Sequence, residues 1–145
     1  MDHVARGVYE QVGTFNGNPL AMAATRAMLL EVATPEAYDH LERLRSQALS
    51  GLSAVIEASG FPAHVVAVGA KGCITFAPTP VRDYRDFLAI DGRYSHAHWL
   101  TQHNRGVFLP PWGKAEQWLL SVQHTEGDVA LFVENFSRFV EGVFS

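Results

Sequence analysis

Apolar residues recur at every third or fourth position through the second quarter of the chain, which is the spacing of one face of an α-helix. These positions are Leu41, Leu44, Ala48, Leu52 and Val55. They follow Thr34-Pro35-Glu36, where a side-chain cap, a proline and an acidic first turn are typical of a helix start. Gly60-Phe61-Pro62 interrupts the pattern, so it predicts a helix that ends at about Ser59.

A second apolar stripe predicts a helix at the C-terminus. Its members are Val129, Phe132, Val133, Phe136, Phe139 and Val143. Thr125 precedes the stripe and Asp128 follows three residues later, which is a variant of the capping box. Because the aromatic residues keep helical spacing, they are expected in a core and not on a base-stacking surface.

Short runs of β-branched and apolar residues between these helices predict four strands. Residues 64–68 and 73–76 are expected to form a hairpin around a turn at 69–72. Residues 107–109 and 118–122 predict two more short strands, separated by a loop. A charged connection containing Arg82 and Arg85 precedes a helix predicted at 94–104, in which Trp99 and Leu100 face inward.

The N-terminal part predicts a lead-in over residues 1–12 and then a helix from Asn18 to about Val32. This helix is rich in alanine, and small residues permit close packing against another surface. The element order ααββαββα predicts an α+β fold, with a small, mostly antiparallel sheet packed on helices.

Composition narrows the classes of function. The chain has 145 residues, of which 48% are hydrophobic, so one domain with a core is expected. Eleven basic residues are dispersed among fifteen acidic ones, for a net charge of −4, which argues against a nucleic-acid partner. The sequence contains no signal-peptide pattern and no apolar run of about 18 residues, so we expect a cytoplasmic protein without a membrane partner.

Isolated reactive side chains do not predict a site by themselves. Cys73 lies in an apolar run and is expected to be a buried structural thiol. His96 and His98 are two residues apart in a predicted helix and so point to different sides, which argues against a metal site. Ser121 lacks the Gly-x-Ser-x-Gly elbow of serine hydrolases. We expect His124 to stabilise the turn before the last helix.

The stretch Gly13-Thr14-Phe15-Asn16-Gly17-Asn18-Pro19-Leu20-Ala21-Met22-Ala23-Ala24 places a two-glycine loop directly before a helix start. Glycines let backbone N–H groups approach an anion, and a helix start carries a partial positive charge. Asn18 is a strong N-cap, and Pro19 is favourable at the first helical position. The loop therefore predicts either a phosphate site or an ordinary loop before a helix.

This stretch resembles the signature of the class III aminotransferases, which are fold-type-I enzymes dependent on pyridoxal phosphate (PLP). The resemblance continues through 80–84, 105–111, the pair Glu116 and Trp118, and 121–128. These landmarks favour the glutamate-1-semialdehyde aminomutase branch. The resemblance implies amino-group transfer in a homodimer, in which Gly13 and Thr14 bind the cofactor phosphate of the neighbouring subunit.

The same resemblance indicates a second loop near the substrate. Glu116 corresponds to a glutamate that lies two residues before a tryptophan in that branch. Trp112-Gly113-Lys114 replaces a serine found there and makes the loop one residue longer, which should change the size and polarity of the pocket. Glu116 and Trp112 are therefore candidate substrate-binding residues. The alternative is an exposed proline-rich turn with Trp112 packed on the domain.

The resemblance covers only about the last third of a family member, a size typical of one domain of a larger protein. It implies an interface loop and connecting helix over residues 1–33, at the tail of a large domain, and a C-terminal small domain over 34–145. The only lysines, Lys71 and Lys114, lack the sequence context of the lysine that binds the cofactor covalently. We therefore assign no catalytic residue and expect neither activity nor bound PLP for the chain alone. The alternative is a non-catalytic domain that associates with itself or with a separately encoded large domain.

Overall fold

The computed structural model describes residues 2–10, 12–110 and 113–144, with Glu116 described by its backbone alone. The elements are α1 (Asp2–Ala5), α2 (Pro19–Ala27) with a π-helical turn at Met28–Val32, α3 (Pro35–Ser59), β1 (His64–Val68), β2 (Lys71–Thr75), α4 (Tyr84–Ala89), α5 (Gly92–Asn104), β3 (Ala115–Leu119) and α6 (Glu126–Phe144). The chain divides into two compact units, Met1–Ala37 and Tyr38–Ser145. None of the helices in the described ranges is long and apolar enough to span a membrane.

The first unit consists of short helices with many exposed apolar side chains. The Asn18 side chain caps α2 as predicted, with the proline at the first helical position. The helix predicted to Val32 does not remain α-helical, because its last turn, Met28–Val32, is a π-helix. Leu20, Leu29 and Leu30 are each more than half exposed. This unit therefore buries little of its own apolar surface.

In the second unit, α3 and α6 form the helical layer that the two apolar stripes predict. Leu44, Ala48 and Leu52 of α3 are completely buried, as is Phe136 of α6. Gly51 lies so close to α6 that a Cβ at this position would be 2.9 Å from a methyl group of Val133. The helices therefore approach each other closely where residue 51 has no side chain.

The sheet has three antiparallel strands in the order β1-β2-β3. The hairpin is confirmed, but β2 begins at Lys71, so the connecting turn is shorter than predicted. Val65 and Ala67 face the core, whereas Val66 is 61% exposed and Val68 is 79% exposed. Helices therefore cover one face of the sheet, and the predicted α+β class is confirmed.

Of the two strands predicted near the second loop, one is absent and the other is shifted. The segment 107–109 is not a strand, because its backbone attaches to α5: the Val107 N–H donates to the Gln102 carbonyl at 2.9 Å. The strand predicted at 118–122 begins earlier, as β3 at Ala115, because the residues from Ala115 to Leu119 pair with β2. The chain leaves the sheet after Leu119, and Ser121 begins the turn to α6.

The side chain of Trp118 in β3 packs over Gly72 of the neighbouring strand β2. Trp118 pairs with Gly72 in the antiparallel register, and its indole lies over the position where a side chain at Gly72 would be. A Cβ on Gly72 would be 2.0 Å from the indole, far inside van der Waals contact. The absence of a side chain at position 72 therefore allows the burial of Trp118, whose relative exposure is 3%.

The stretch predicted as a solvated connection contains the short helix α4. The Asp83 side chain caps this helix by accepting the N–H groups of Arg85 at 2.8 Å and Asp86 at 3.0 Å. Arg82 and Arg85 are exposed, as expected. Local capping therefore produces a helix where the charge pattern predicted none.

Helix α5 is present as predicted, but its buried face is polar. Ser95, His98 and Gln102 are completely buried, whereas Leu100, which was expected to face inward, is 46% exposed. The Gln102 amide donates to the His98 Nε2 at 3.0 Å and to the Phe132 carbonyl at 2.9 Å. Its carbonyl accepts the Asn135 amide at 3.2 Å. Hydrogen bonds thus join α5 to α6 in addition to the packing of the His98 ring against Phe132, Phe136 and Phe139.

We predict that Gly72→Ala destabilises the second unit, because the new methyl group must displace a buried indole. The expected loss is about 2–4 kcal/mol, as for a strained core substitution. Gly92→Ala is the matched control, since a Cβ there meets nothing within 4 Å and Gly92 does not have a positive φ. Urea unfolding measures both variants, and equal stability for the two would contradict the role assigned to the glycine.

We predict that Gln102→Leu costs about 2–4 kcal/mol, because buried groups on α5 and α6 lose their hydrogen-bond partner. Thr101→Val is the control, since this hydroxyl donates to the Ala97 carbonyl of its own helix. Thermal unfolding followed by circular dichroism compares the two. A smaller loss for Gln102→Leu than for Thr101→Val would show that the network is not stabilising.

Candidate functional site

The predicted phosphate loop is a short, exposed turn whose hydrogen bonds are local. The Asn16 N–H donates to the Gly13 carbonyl at 3.0 Å, and the Asn18 N–H donates to the Phe15 carbonyl at 3.2 Å. A side chain on Gly13 would lie 2.9 Å from the Asn16 side chain. Gly17 has a φ of +72°, which favours glycine. Gly17 is therefore favoured by the backbone conformation of this loop, whereas a side chain at Gly13 would require the exposed Asn16 side chain to move.

The helix start behind this loop already has an acceptor. The Asn18 Oδ1 accepts the Leu20 N–H at 3.0 Å and the Ala21 N–H at 3.2 Å. An anion at this loop would therefore depend on Gly13 and Thr14, and less on the helix amides. Thr14 is exposed, and its hydroxyl forms no hydrogen bond within the described residues. The loop can offer a hydroxyl donor and a backbone without a side chain, which suits a phosphate group.

The second loop connects α5 to β3, and the other predicted site residues, Glu116 and Trp112, belong to this part of the sequence. Glu116 lies within β3, opposite Ile74 of β2. Trp112 lies outside the described residues. The Leu109 side chain is buried, with 6% exposure, and attaches the loop to the core. Glu116 is thus placed in a strand, a position that the sequence did not predict.

A mostly apolar groove of about 470 Å³ adjoins this loop. Its walls come from the segment 106–110, the end of β3 and the first two turns of α6. Phe108 at its edge is 81% exposed, and His124 and Asp128 contribute polar groups. The Nε1 of Trp118, which also lines the groove, is buried and has no hydrogen-bond partner among the residues that the structure describes. The groove therefore offers apolar surface within the second unit.

His124 stabilises the turn before α6, as predicted. Its Nδ1 accepts the Ser121 N–H at 3.0 Å and lies 2.9 Å from the Ser121 Oγ. The serine–histidine contact itself was not expected from the sequence. It does not resemble a catalytic pair, because the same ring nitrogen accepts a backbone N–H and the serine Oγ accepts the Gln123 N–H at 3.3 Å. His40 adds a second attachment, with its Nε2 2.9 Å from the His124 carbonyl.

The capping box at Thr125 and Asp128 is confirmed. The Asp128 carboxylate accepts the Thr125 N–H at 2.7 Å and its hydroxyl at 2.8 Å, and the Asp128 N–H donates to the Thr125 Oγ1 at 3.2 Å. The Thr125 N–H, then its hydroxyl, and to a smaller extent the charge of His124 lower the pKa of Asp128 below its ordinary value of 3.8. Helix α6 therefore begins at an ionised carboxylate.

The two lysines have different environments. Lys71 is the exposed first residue of β2. The prediction that it lies in the hairpin turn was wrong. The Lys114 Nζ donates to the Leu88 carbonyl at the end of α4. The two lysines of the chain thus differ in exposure and in hydrogen bonding.

The remaining reactive side chains do not form a cluster. His98 is buried and His96 is exposed, so the pair points to different sides of α5 as predicted. Over residues 2–10, 12–110 and 113–144, no group of three histidine, cysteine or acidic residues could hold a metal ion. Cys73 is only half-buried, and its Sγ lies 3.6 Å from the Thr75 Oγ1. The expectation of full burial for this thiol was wrong.

No family model matches the sequence, but individual proteins do. The chain is 36% identical over 135 residues to a glutamate-1-semialdehyde 2,1-aminomutase from Thermomicrobium roseum, a match that covers 92% of this chain and 31% of the relative. It is 34% identical over 128 residues to glutamate-1-semialdehyde 2,1-aminomutase 2 from Brevibacillus brevis, covering 88% of this chain and 30% of the relative. The chain thus spans about 30% of the length of these relatives, in their C-terminal part.

Solved structures have the same fold. A glutamate-1-semialdehyde aminomutase from Pseudomonas aeruginosa superposes with a TM-score of 0.78 at 28% identity, over 91% of this chain and 30% of that one. A β-phenylalanine aminotransferase from Variovorax paradoxus gives a TM-score of 0.75 at 25% identity, over 92% and 30% of the two chains. Sequence and fold therefore point to the same group of proteins.

We predict that Asp128→Asn removes part of the acid sensitivity of folding. Because the pKa of Asp128 is lower in the folded chain, its contribution is complete above the ordinary carboxyl pKa and is lost as pH falls through the lowered value. The difference in melting temperature between wild type and variant should therefore shrink below about pH 4. Glu57→Gln, on the exposed end of α3, is the control. A constant difference from pH 7 to pH 3 would contradict this role.

Proposed function

We propose that this chain, which corresponds in sequence and fold to the C-terminal domain of the PLP-dependent class III aminotransferases, serves an enzyme that transfers amino groups. The observation that carries the proposal is the agreement of two comparisons, with more than 30% identity over most of the chain and a TM-score of 0.78. The resemblance expected from the sequence is confirmed at this level. The substrate and the complete reaction belong to the proposal.

In this proposal, Gly13 and Thr14 bind the cofactor phosphate of the neighbouring subunit. The Thr14 hydroxyl donates a hydrogen bond to a phosphate oxygen, and the bare Gly13 backbone permits a close approach. Asn18 keeps the helix start ordered through its bonds to Leu20 and Ala21. When bound, pyridoxal phosphate supplies an electron sink for the reacting amine, and the lysine that holds it lies outside this chain.

The segment around β3 is proposed to border the substrate. Glu116 and Trp112 are the proposed substrate-binding residues, because they belong to the segment whose counterpart approaches the substrate in the aminomutase branch. The aminomutase serine is replaced here by Trp112-Gly113-Lys114. A tryptophan changes both the size and the polarity of a pocket. We therefore propose an amino donor or acceptor that differs from glutamate 1-semialdehyde.

We further propose that the enzyme is a cytoplasmic homodimer. Exposed apolar side chains of the first unit support the association, since Phe15 and Leu20 are each at least 80% exposed and such surfaces mark interfaces. The part of the relatives that this chain does not match supplies the second partner, a large domain. The same surfaces support a second candidate, in which the chain is a non-catalytic association domain.

A chimera distinguishes the two candidates. The C-terminal part of the Thermomicrobium roseum aminomutase is replaced by this chain, and the purified product is assayed for retained PLP by its visible absorption and for transamination of a panel of amines. We expect retained cofactor and turnover with at least one amine. A folded chimera that dimerises without retaining cofactor would support the association domain and reject the proposed enzyme.

We predict that Thr14→Val in this chimera weakens retention of PLP by about ten- to a hundredfold. The substitution removes one hydrogen bond to a phosphate dianion, at a cost of about 1.5–3 kcal/mol. Thr25→Val makes the same chemical change in α2, where the hydroxyl donates to the Ala21 carbonyl of the same helix. It should leave retention unchanged. Equal effects of the two variants would contradict a phosphate-binding role for the loop and leave it only a role in starting α2.

Mixed dimers test whether Thr14 acts on the neighbouring subunit. One subunit carries Thr14→Val, and the other lacks the lysine that binds the cofactor covalently. If each threonine serves the opposite site, the site that keeps its lysine also has an intact threonine. Half of the activity should then survive with normal cofactor affinity. Weakened affinity at the surviving site would show that Thr14 acts within its own subunit.

A further inference from the structure

Two side chains of α5 hold the loop that precedes β3 at both of its ends. The Trp99 Nε1 donates to the Leu109 carbonyl at 3.4 Å. The Ser95 hydroxyl donates to the Lys114 carbonyl at 3.1 Å. Ser95 is completely buried, so water does not compete for its bond. The chain therefore enters and leaves the loop at points set by one helix.

The Lys114 side chain adds a third attachment, to a different element. Its Nζ donates to the Leu88 carbonyl in the last turn of α4, where the helix dipole favours a cation. The charge of Lys114 also reaches Asp91: the pKa of Asp91 is lowered chiefly by the hydrogen bond from the Arg93 side chain, and least by Lys114. Lys114 is thus attached by its backbone to α5 and by its ammonium group to α4.

We propose that Ser95, Trp99 and Lys114 are positioning residues that set the backbone position of Glu116 in β3. Through Glu116 they determine the substrate specificity of the enzyme. Lys114 lies two residues before Glu116, and β3 begins between them. The inference rests on the proposed function, in which Glu116 borders the substrate. It adds three residues to the determinants of specificity, none of which needs to contact the substrate.

The proposal also predicts that the two lysines react with electrophiles at different rates. Lys71 is exposed, whereas Lys114 is half-buried and donates its ammonium hydrogen to a carbonyl. An amine that is held in this way must break the bond and lose a proton before it can react with an electrophile. Lys114 is therefore the slower of the two to react.

Amine labelling of the 145-residue chain tests the attachment without any activity. Limiting acetic anhydride is added, and mass spectrometry gives the rate at each lysine. We expect Lys114 to react about tenfold more slowly than Lys71, which corresponds to about 1.4 kcal/mol of protection. Ser95→Ala should raise the rate at Lys114 and leave Lys71 unchanged. Equal rates at the two lysines in the wild type would overturn the attachment.

The effect on specificity is measured in the chimera described above. Lys114→Met should raise the KM for the amino donor about tenfold, which is the loss of one positioning interaction, with kcat and PLP retention little changed. Lys114→Arg should restore the KM because it keeps a cationic donor, and Lys71→Met is the matched control. An unchanged KM in Lys114→Met, with the labelling result intact, would overturn the role in specificity. A chimera that does not retain PLP would reject the proposed function, whereas the labelling rates would still decide the attachment.

Discussion

The amide of Gln102 is the interaction on which the second unit depends. It joins His98 of its own helix to the Phe132 carbonyl and the Asn135 side chain of α6. Because this amide is completely buried, each of its bonds forms where water cannot replace it. Hydrogen bonds require specific distances and angles, so the network is compatible with only one orientation of α5 about its axis relative to α6. A purely apolar contact would tolerate several.

The rotation of α5 in turn decides where the second loop lies. With Gln102 against α6, Trp99 and Ser95 of the same helix reach the carbonyls of Leu109 and Lys114. These bonds bring the chain to the start of β3. The strand then pairs with β2, where Trp118 lies over Gly72. A polar contact between two helices thus fixes the position of a strand that contains Glu116.

The first unit follows a different principle, because its loop depends on its own residues. Asn18 caps α2, and Gly13 and Gly17 allow the turn that precedes it. Such bonds span only a few positions in sequence, so they can be predicted from local residue types. The proposed phosphate site is therefore a local feature, whereas the proposed substrate loop depends on contacts distant in sequence.

The sequence by itself determined the elements with strong periodicity or clear caps: α3, α6, the hairpin of β1 and β2, the Asn18 cap, and the box of Thr125 and Asp128. It also indicated the group of proteins to which the chain is similar, since the matching motifs are local. The tertiary structure alone decided the polar buried face of α5, the start of β3 and the attachment of Lys114. Periodicity assigns apolar residues to the core, so it placed Leu100 inside and overlooked Ser95 and Gln102. Polar residues become buried only where partners from other elements satisfy them, and sequence spacing contains no information about those partners.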